Sequence, residues 1–113
     1  MPVQRFLISF AEGAMDHIPQ SELPAVSDAT RAVVAEAKRA GVWIFGGGMA
    51  ALPASVVAVD GSVGDAQQPG PKIGGFSIVE VESREEALEW AAKFAASCRC
   101  AQQVREIMYD PES

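Results

Sequence analysis

The sequence predicts an α+β protein with a ferredoxin-like plait, in which two helices cover a mostly antiparallel sheet. Segments of strand character and of helical periodicity follow one another in the order strand, helix, two strands, helix and strand. Two right-handed crossovers in that order place both helices on the same face of one sheet. A length of 113 residues suits a single domain over residues 1–113.

The clearest segment is residues 74–94, which predicts a strand followed by a helix. Residues 76–81 (FSIVEV) are mostly β-branched or aromatic, as a partly buried strand requires. Ser83 and Glu86 have the spacing of a capping box, which predicts the helix start, with the Glu86 carboxylate reaching back to the Ser83 N–H. Helical spacing then connects Leu88, Ala91 and Ala95.

The first half of the chain predicts a strand, a long loop, a helix and a second strand. Residues 5–10 (RFLISF) alternate as a strand does, and residues 11–24 form a loop that is long for a small domain. Ser27 or Asp28 is the expected N-cap of the first helix, and Gly41 follows its end. Residues 42–45 (VWIF) predict the second strand, stopped by the glycines at 46–48.

The second half adds a hairpin and a closing strand. Residues 55–59 predict a third strand, and Asp60-Gly61 predicts a turn that brings the chain back towards Asp65. Residues 65–72 contain prolines and a glycine and are expected to be irregular. Residues 104–109 (VREIMY) predict the last strand.

Several predicted strands are apolar on both faces. In residues 42–45, alternation sets Val42 and Ile44 against Trp43 and Phe45, and residues 56–59 are apolar throughout. In the strand before the second helix, Phe76 and Ile78 oppose Val79 and Val81. Two helices shield one face only, so the other face needs a second cover. We therefore expect a homodimer.

Composition and charge exclude several classes of partner. The net charge is -6, without basic runs or interleaved aromatic and basic residues, which disfavours nucleic acid and anionic membranes as partners. No apolar run approaches the roughly 20 residues that span a bilayer, and the N-terminal residues lack a signal-peptide pattern. A cytoplasmic location is expected.

The two cysteines are expected to be reduced and structurally passive. A single residue separates Cys98 from Cys100, which strains a disulfide, and two thiols alone are a poor zinc site. A redox pair is the alternative. Because Cys98 continues the row of Ala91 and Ala95, it is expected to face the core.

Together these residues resemble the YCII-related family, which includes the DGPF-type proteins. The resemblance rests on AGVWIFGGG, on the Asp-Gly turn, on IGGFSIVEVESREEALEWAAK and on the terminal VREI, and it covers nearly the whole chain. It implies a dimeric α+β barrel in which two plaits pack sheet to sheet. It also implies that some members use a His–Asp pair in a cleft beside the sheet as an acid–base dyad.

The resemblance assigns site residues only in part. The aspartate of the DGPF motif falls on Asp65, and the basic residue of the same loop falls on Lys72. The segment reads DAQQPGPK, so the Gly-Pro-Phe is not preserved. The histidine of the first helix falls near Thr30 or Arg31. His17, the only histidine, is the candidate replacement from the first loop, and the alternative for it is a solvent-exposed loop residue.

The other candidates also have structural alternatives. Asp65 follows Gly64 and could instead hydrogen-bond its own turn. Trp43 could stack on a ligand or belong to the core, and Arg31, like Arg5, could clamp an anion or be a surface charge. The glycine run, with Gly47 at its centre, could let a ligand approach the backbone, although close strand packing explains it better than phosphate binding.

Two functional hypotheses follow, and neither involves a metal or a cofactor. In the first, the protein is a small cofactor-free enzyme in which Asp65 and His17 form an acid–base pair acting on a small organic molecule. In the second, it is a ligand-binding or accessory homodimer without turnover. Both place the site where the first loop, residues 65–72 and the end of the second strand converge, with Arg31, Trp43, Gly47 and Lys72 as ligand-binding candidates.

Overall fold

The computed structural model describes residues 3–65 and 72–113, which form an α+β fold with two α-helices and a mostly antiparallel sheet. The elements in chain order are β1 (Gln4–Ala11), a short 3-10 turn (Gln20–Glu22), α1 (Leu23–Arg39), β2 (Trp43–Gly48), β3 (Ser55–Val57), β4 (Val63–Asp65), β5 (Ile73–Val81), α2 (Arg84–Cys98) and β6 (Gln103–Ile107). The main sheet has the order β2-β5-β1-β6 with antiparallel pairings, which is compatible with a ferredoxin-like plait. No helix in the described ranges is long and apolar enough to cross a membrane.

The second helix begins at the predicted cap. The Ser83 hydroxyl accepts a hydrogen bond from the Glu86 N–H at 3.2 Å. The Glu86 carboxylate accepts from the N–H of Glu82 at 3.2 Å, one residue before the expected partner. The expected apolar row is wrong at Leu88, which is exposed, because the helix turns a neighbouring row towards the sheet. That buried row consists of Ala87, Trp90, Ala91, Phe94 and Cys98.

The first helix begins earlier than predicted. It starts at Leu23, so Ser27 and Asp28 lie within the helix rather than at its cap. Pro24 occupies the first turn, where the missing N–H of proline has no helical partner to lose. The prediction that ended the helix before Gly41 is confirmed: Gly41 has φ +75°, a left-handed conformation that favours glycine.

The second strand differs from its prediction in length and in face. It continues through the glycines, and Gly46, Gly47 and Gly48 pair with Ser77, Phe76 and Gly75. A bulge also separates the two aromatic residues, because Trp43 pairs with Val79 while Phe45 pairs with Ile78. Trp43 therefore lies on the helix-covered side and Phe45 on the other, whereas strict alternation had placed them on one face.

The predicted hairpin exists but lies outside the main sheet. Strands β3 and β4 form their own two-stranded sheet, and β3 ends at Val57 rather than at residue 59. The Asp60 carboxylate holds the turn by accepting from the N–H and hydroxyl of Ser62, at 2.9 and 2.7 Å. Among the described elements, β3 and β4 contact only each other, so the apolar character of this hairpin does not cover the main sheet.

The core lies between the helices and one face of the sheet. Phe6 and Ile8 on β1 meet Val79 and Val81 on β5, and all four are at most 2% exposed. The opposite face carries Leu7, Phe45, Phe76 and Ile78, which are half-buried or exposed. The core is therefore complete within one chain on the helix side only.

Candidate functional site

A cleft of about 840 Å³ lies between α1 and the edge strand β2. One stripe of α1 forms its first wall, with Leu23, Val26, Ser27, Thr30, Arg31, Val34 and Lys38 at helical spacing. Strand β2 forms the second wall with Trp43, Phe45 and the three glycines, and Met15 of the first loop also contributes. A volume of this size suits a small organic ligand, for which binding cavities are about 300–1,000 Å³.

The glycine run gives the β2 wall its shape. A Cβ atom on Gly46 would lie 2.5 Å from the Phe76 carbonyl oxygen and 2.7 Å from the Trp43 ring, so this position admits no side chain. The Trp43 ring lies over Gly46, and its centroid is 6.2 Å from that of Phe94. Gly46 therefore fixes Trp43 as the partly buried end of the wall.

Gly47 and Gly48 are open, with no atom within 4 Å of an added Cβ. By register Gly48 pairs with Gly75, which in turn pairs with Phe10 on the helix-covered side. Gly47 pairs with Phe76 and lies on the other side. The two adjacent glycines thus face opposite sides of the sheet: both line the cleft, and Gly48 faces the helix-covered side.

The charge of the described lining is positive. Arg31 and Lys38 are its only charged side chains, and no carboxylate or imidazole is among the described lining residues. Three other cations are neutralised within the described residues, where Arg5 pairs with Glu80, Lys93 with Glu36 and Arg99 with Glu22. Arg31 and Lys38 have no such carboxylate partner among these residues, although the protein as a whole is acidic.

Small polar groups join α1 to α2 beside the cleft, where Thr30 and Cys98 belong to the lining. The Thr30 hydroxyl is 3.4 Å from both the Cys98 Sγ and the Ser97 Oγ. Cys98 is buried, as predicted from its helical row.

Burial raises the pKa of the half-buried Cys100 thiol, and the nearby Cys98 thiol raises that pKa further.

Three of the four predicted ligand-binding residues, Arg31, Trp43 and Gly47, line the cleft. Lys72 instead lines a hollow of about 160 Å³ near Ser9, Gln103 and Arg105.

The two acid–base candidates do not line the cleft within the described residues. His17 is exposed in the turn that follows β1. Asp65 is exposed at the end of β4, where it pairs with Ser55, and Asp60 rather than Asp65 bonds the hairpin turn. Residues 66–71, which belong to the predicted site loop, lie outside the described residues.

Two backbone hydrogen bonds bring together the segments predicted to converge. The Glu12 N–H in the first loop donates to the Lys72 carbonyl at 2.6 Å. The Met49 N–H just after β2 donates to the Gly74 carbonyl at 2.9 Å. The first loop, the end of β2 and the start of β5 are therefore neighbours at one end of the sheet.

The sequence interpretation missed Lys38, Thr30 as a lining residue and Gly48. Lys38 could have been found because it lies seven positions after Arg31, which places both on one helical face. Nothing in the sequence placed Cys98 beside Thr30, because that contact joins the two helices across the chain.

No group of three or more His, Cys, Asp or Glu side chains that could hold a metal ion occurs in residues 3–65 and 72–113. No family model matches the chain, and no curated protein is significantly similar to it in sequence.

Proposed function

We propose that the protein is a homodimer that binds a small organic molecule in the cleft between α1 and β2. The observation that carries this proposal is the lining of the cleft, which combines apolar and aromatic side chains with a few polar groups. That combination is typical of ligand sites. A binding role fits this lining better than catalysis by the predicted acid–base pair, because neither His17 nor Asp65 is among the described lining residues.

The dimer is proposed from the open face of the sheet. Leu7, Phe76 and Ile78 form an apolar strip there, and Phe45 extends it, with its ring centroid 5.8 Å from that of Phe76. Phe45 and Phe76 also line the cleft, so the strip and the cleft adjoin at β2. The exposed Arg5–Glu80 ion pair, at 2.8 Å, borders this strip. A face with an apolar centre and a polar border has the composition of a protein interface, and a second copy with the same face is the partner we propose.

Membership of the YCII-related family is also proposed rather than established. The strand order β2-β5-β1-β6 supports it, since it is the order of a plait whose sheet has one helix-free face. A second support is that Thr30 and Arg31, the positions nearest the expected helical histidine, line the cleft. The cytoplasmic location likewise stays a prediction from the sequence.

The alternative is the cofactor-free enzyme with His17 and Asp65 as its acid–base pair. In that case both side chains would have to approach one ligand within hydrogen-bonding reach, directly or through one water. The His17→Ala and Asp65→Asn variants distinguish the two hypotheses. A binding protein keeps its ligand affinity in both variants, because neither residue lines the described cleft.

The binding site can be tested with phenylnaphthylamine, an uncharged fluorescent probe, and with two leucine substitutions. Gly48→Leu fills the cleft from the β2 wall, whereas Ala92→Leu adds a leucine side chain at an exposed position of α2 outside the described lining. We expect saturable probe binding to the wild-type dimer and to Ala92→Leu, and its loss in Gly48→Leu. Equal probe binding by wild type and Gly48→Leu would contradict the assignment of the cleft.

A further inference from the structure

We infer that the ligand of the α1–β2 cleft is an amphipathic organic anion, with one acidic group held by Arg31 and Lys38 and a flat apolar body against β2. This inference rests on the proposed binding function and adds the chemical class of the ligand.

The two cations are placed on one wall of the cleft by the helix. Arg31 and Lys38 are seven positions apart in α1, which is nearly two turns and about 10 Å along the axis. Both side chains are long and flexible, so their charged ends can approach the same acidic group from two directions. Arginine in particular offers a planar fork of N–H donors that matches a carboxylate or a sulfonate.

The charge of this wall contrasts with the rest of the molecule. The protein carries a net charge of -6, yet the described lining holds two cations and no anion. Within the described residues the ion pairs join Arg5, Lys93 and Arg99 to carboxylates, and Arg31 and Lys38 are in none of them, as also holds for Arg39, Arg84 and Arg105. Arg31 and Lys38 differ from those three in lining the cleft, so an acidic group of a bound ligand could be their counter-charge.

The opposite wall accommodates an apolar body. Gly48 leaves open space on the cleft side of β2, and the Trp43 ring closes one end of that wall. Val26, Val34 and Leu23 face this wall from α1. Aromatic rings pack favourably on such surfaces, and the flat backbone at the glycines lets a planar body approach closely. The cleft is thus apolar along its length and cationic on one side.

The test compares two dyes that share an aromatic body. Anilinonaphthalene sulfonate carries an acidic group, and phenylnaphthylamine lacks it. Affinities for both dyes are measured by fluorescence titration on the wild-type dimer and on the double variant Arg31→Gln/Lys38→Gln. Glutamine preserves helix propensity at these positions, and far-UV circular dichroism checks the fold. Arg39→Gln removes a cation from the same helix outside the cleft lining and is the matched control.

We expect the double variant to weaken sulfonate binding at least about tenfold, as loss of charged hydrogen bonds would. Phenylnaphthylamine affinity should stay within about twofold, since its contacts are apolar. Arg39→Gln should change neither affinity, and added salt should weaken binding of the sulfonate only.

Two outcomes overturn the inference in distinguishable ways. If both dyes bind the wild type with equal affinity and the double variant changes neither, the anionic class is wrong while the cleft remains a binding site. If neither dye binds, or if Gly48→Leu leaves both affinities unchanged, the binding function itself fails and the inference fails with it.

Discussion

The two faces of the β2-β5-β1-β6 sheet are made by alternate residues of the same strands, and both carry apolar side chains, but only one is covered by helices. On the helix side Phe6 and Val79 are at most 1% exposed, while Phe45 on the open side is 62% exposed. The open face also carries more polar side chains, among them Ser9, Glu80 and Arg105. Apolar alternation therefore identifies strands that need cover, and the fold determines which face receives it within the chain.

A substitution on the helix-covered face should cause the largest loss of stability. Phe6→Ala removes a fully buried ring between the sheet and the helices and should lower the free energy of unfolding by about 3–5 kcal/mol. Urea denaturation monitored by circular dichroism measures this change. A loss below about 1 kcal/mol would mean that the buried face is not the core of the molecule.

A substitution on the open face should weaken association of the two copies instead of unfolding the chain. Ile78→Asp places a charge at the centre of the proposed interface and should weaken the dimer by at least about 2 kcal/mol. We expect the variant to remain folded, because the helix-side core does not include Ile78. Sedimentation equilibrium measures the change in association.

A matched control for Ile78→Asp is available in the hairpin. Val59→Asp introduces the same charge at a fully exposed apolar residue outside the main sheet. Its association should equal that of the wild type. Weakened association in Val59→Asp together with unchanged association in Ile78→Asp would move the interface from the sheet to the hairpin.

The strands and helices that form these two faces also show which parts of the fold could be predicted from the sequence. Periodicity identified β1, β5, both helices and the Ser83 cap, because each depends on local residue pattern or local hydrogen bonds. It failed at Trp43 and Phe45, where a bulge reverses the face of one aromatic residue and so creates the end wall of the cleft. A bulge depends on the register with β5, which is distant in sequence, so local pattern does not reveal it.

The candidate site was predicted less completely than the fold for a similar reason. Arg31, Trp43 and Gly47 line the cleft, but Gly47 and Gly48 were assigned to a strand exit instead of to a paired strand. The position of Lys38 on the same helical face as Arg31 could be predicted from helical spacing. The contact of Thr30 with Cys98 could not be predicted, since it depends on how α1 packs against α2.

A smaller effect, on thiol reactivity, is expected at the two cysteines at the end of α2. Because burial raises the pKa of Cys100, its thiolate is scarce at neutral pH, and iodoacetamide should modify it more slowly than an unstructured cysteine. Replacing Cys98 by serine leaves Cys100 as the only thiol and removes one cause of the raised pKa, so the midpoint of the pH–rate profile should fall. A midpoint that rises in Cys98→Ser would contradict this assignment.

The smallest effect, a change in the pKa of one carboxylate, is expected in the hairpin, which neither helix covers. The hydrogen bond from the Ser62 hydroxyl is the main cause that lowers the pKa of Asp60, and the Ser62 N–H contributes next. Since the folded pKa lies below the unfolded one, the stabilisation is present above the unfolded pKa and is lost as pH falls through the folded pKa. Ser62→Ala should raise the Asp60 pKa towards its ordinary value, as measured by NMR titration. An unchanged or lower pKa would exclude the serine hydroxyl as the cause.

The proposal that a second copy covers the open sheet face is tested most directly by the mass of the wild-type protein in solution. Each chain has a mass of 11.9 kDa, so sedimentation equilibrium at micromolar concentration should return twice that value if a second copy covers the face. Interfaces of stable dimers bury at least about 1,200 Å² in total. A folded particle of 11.9 kDa that persists across the concentration range would contradict the account.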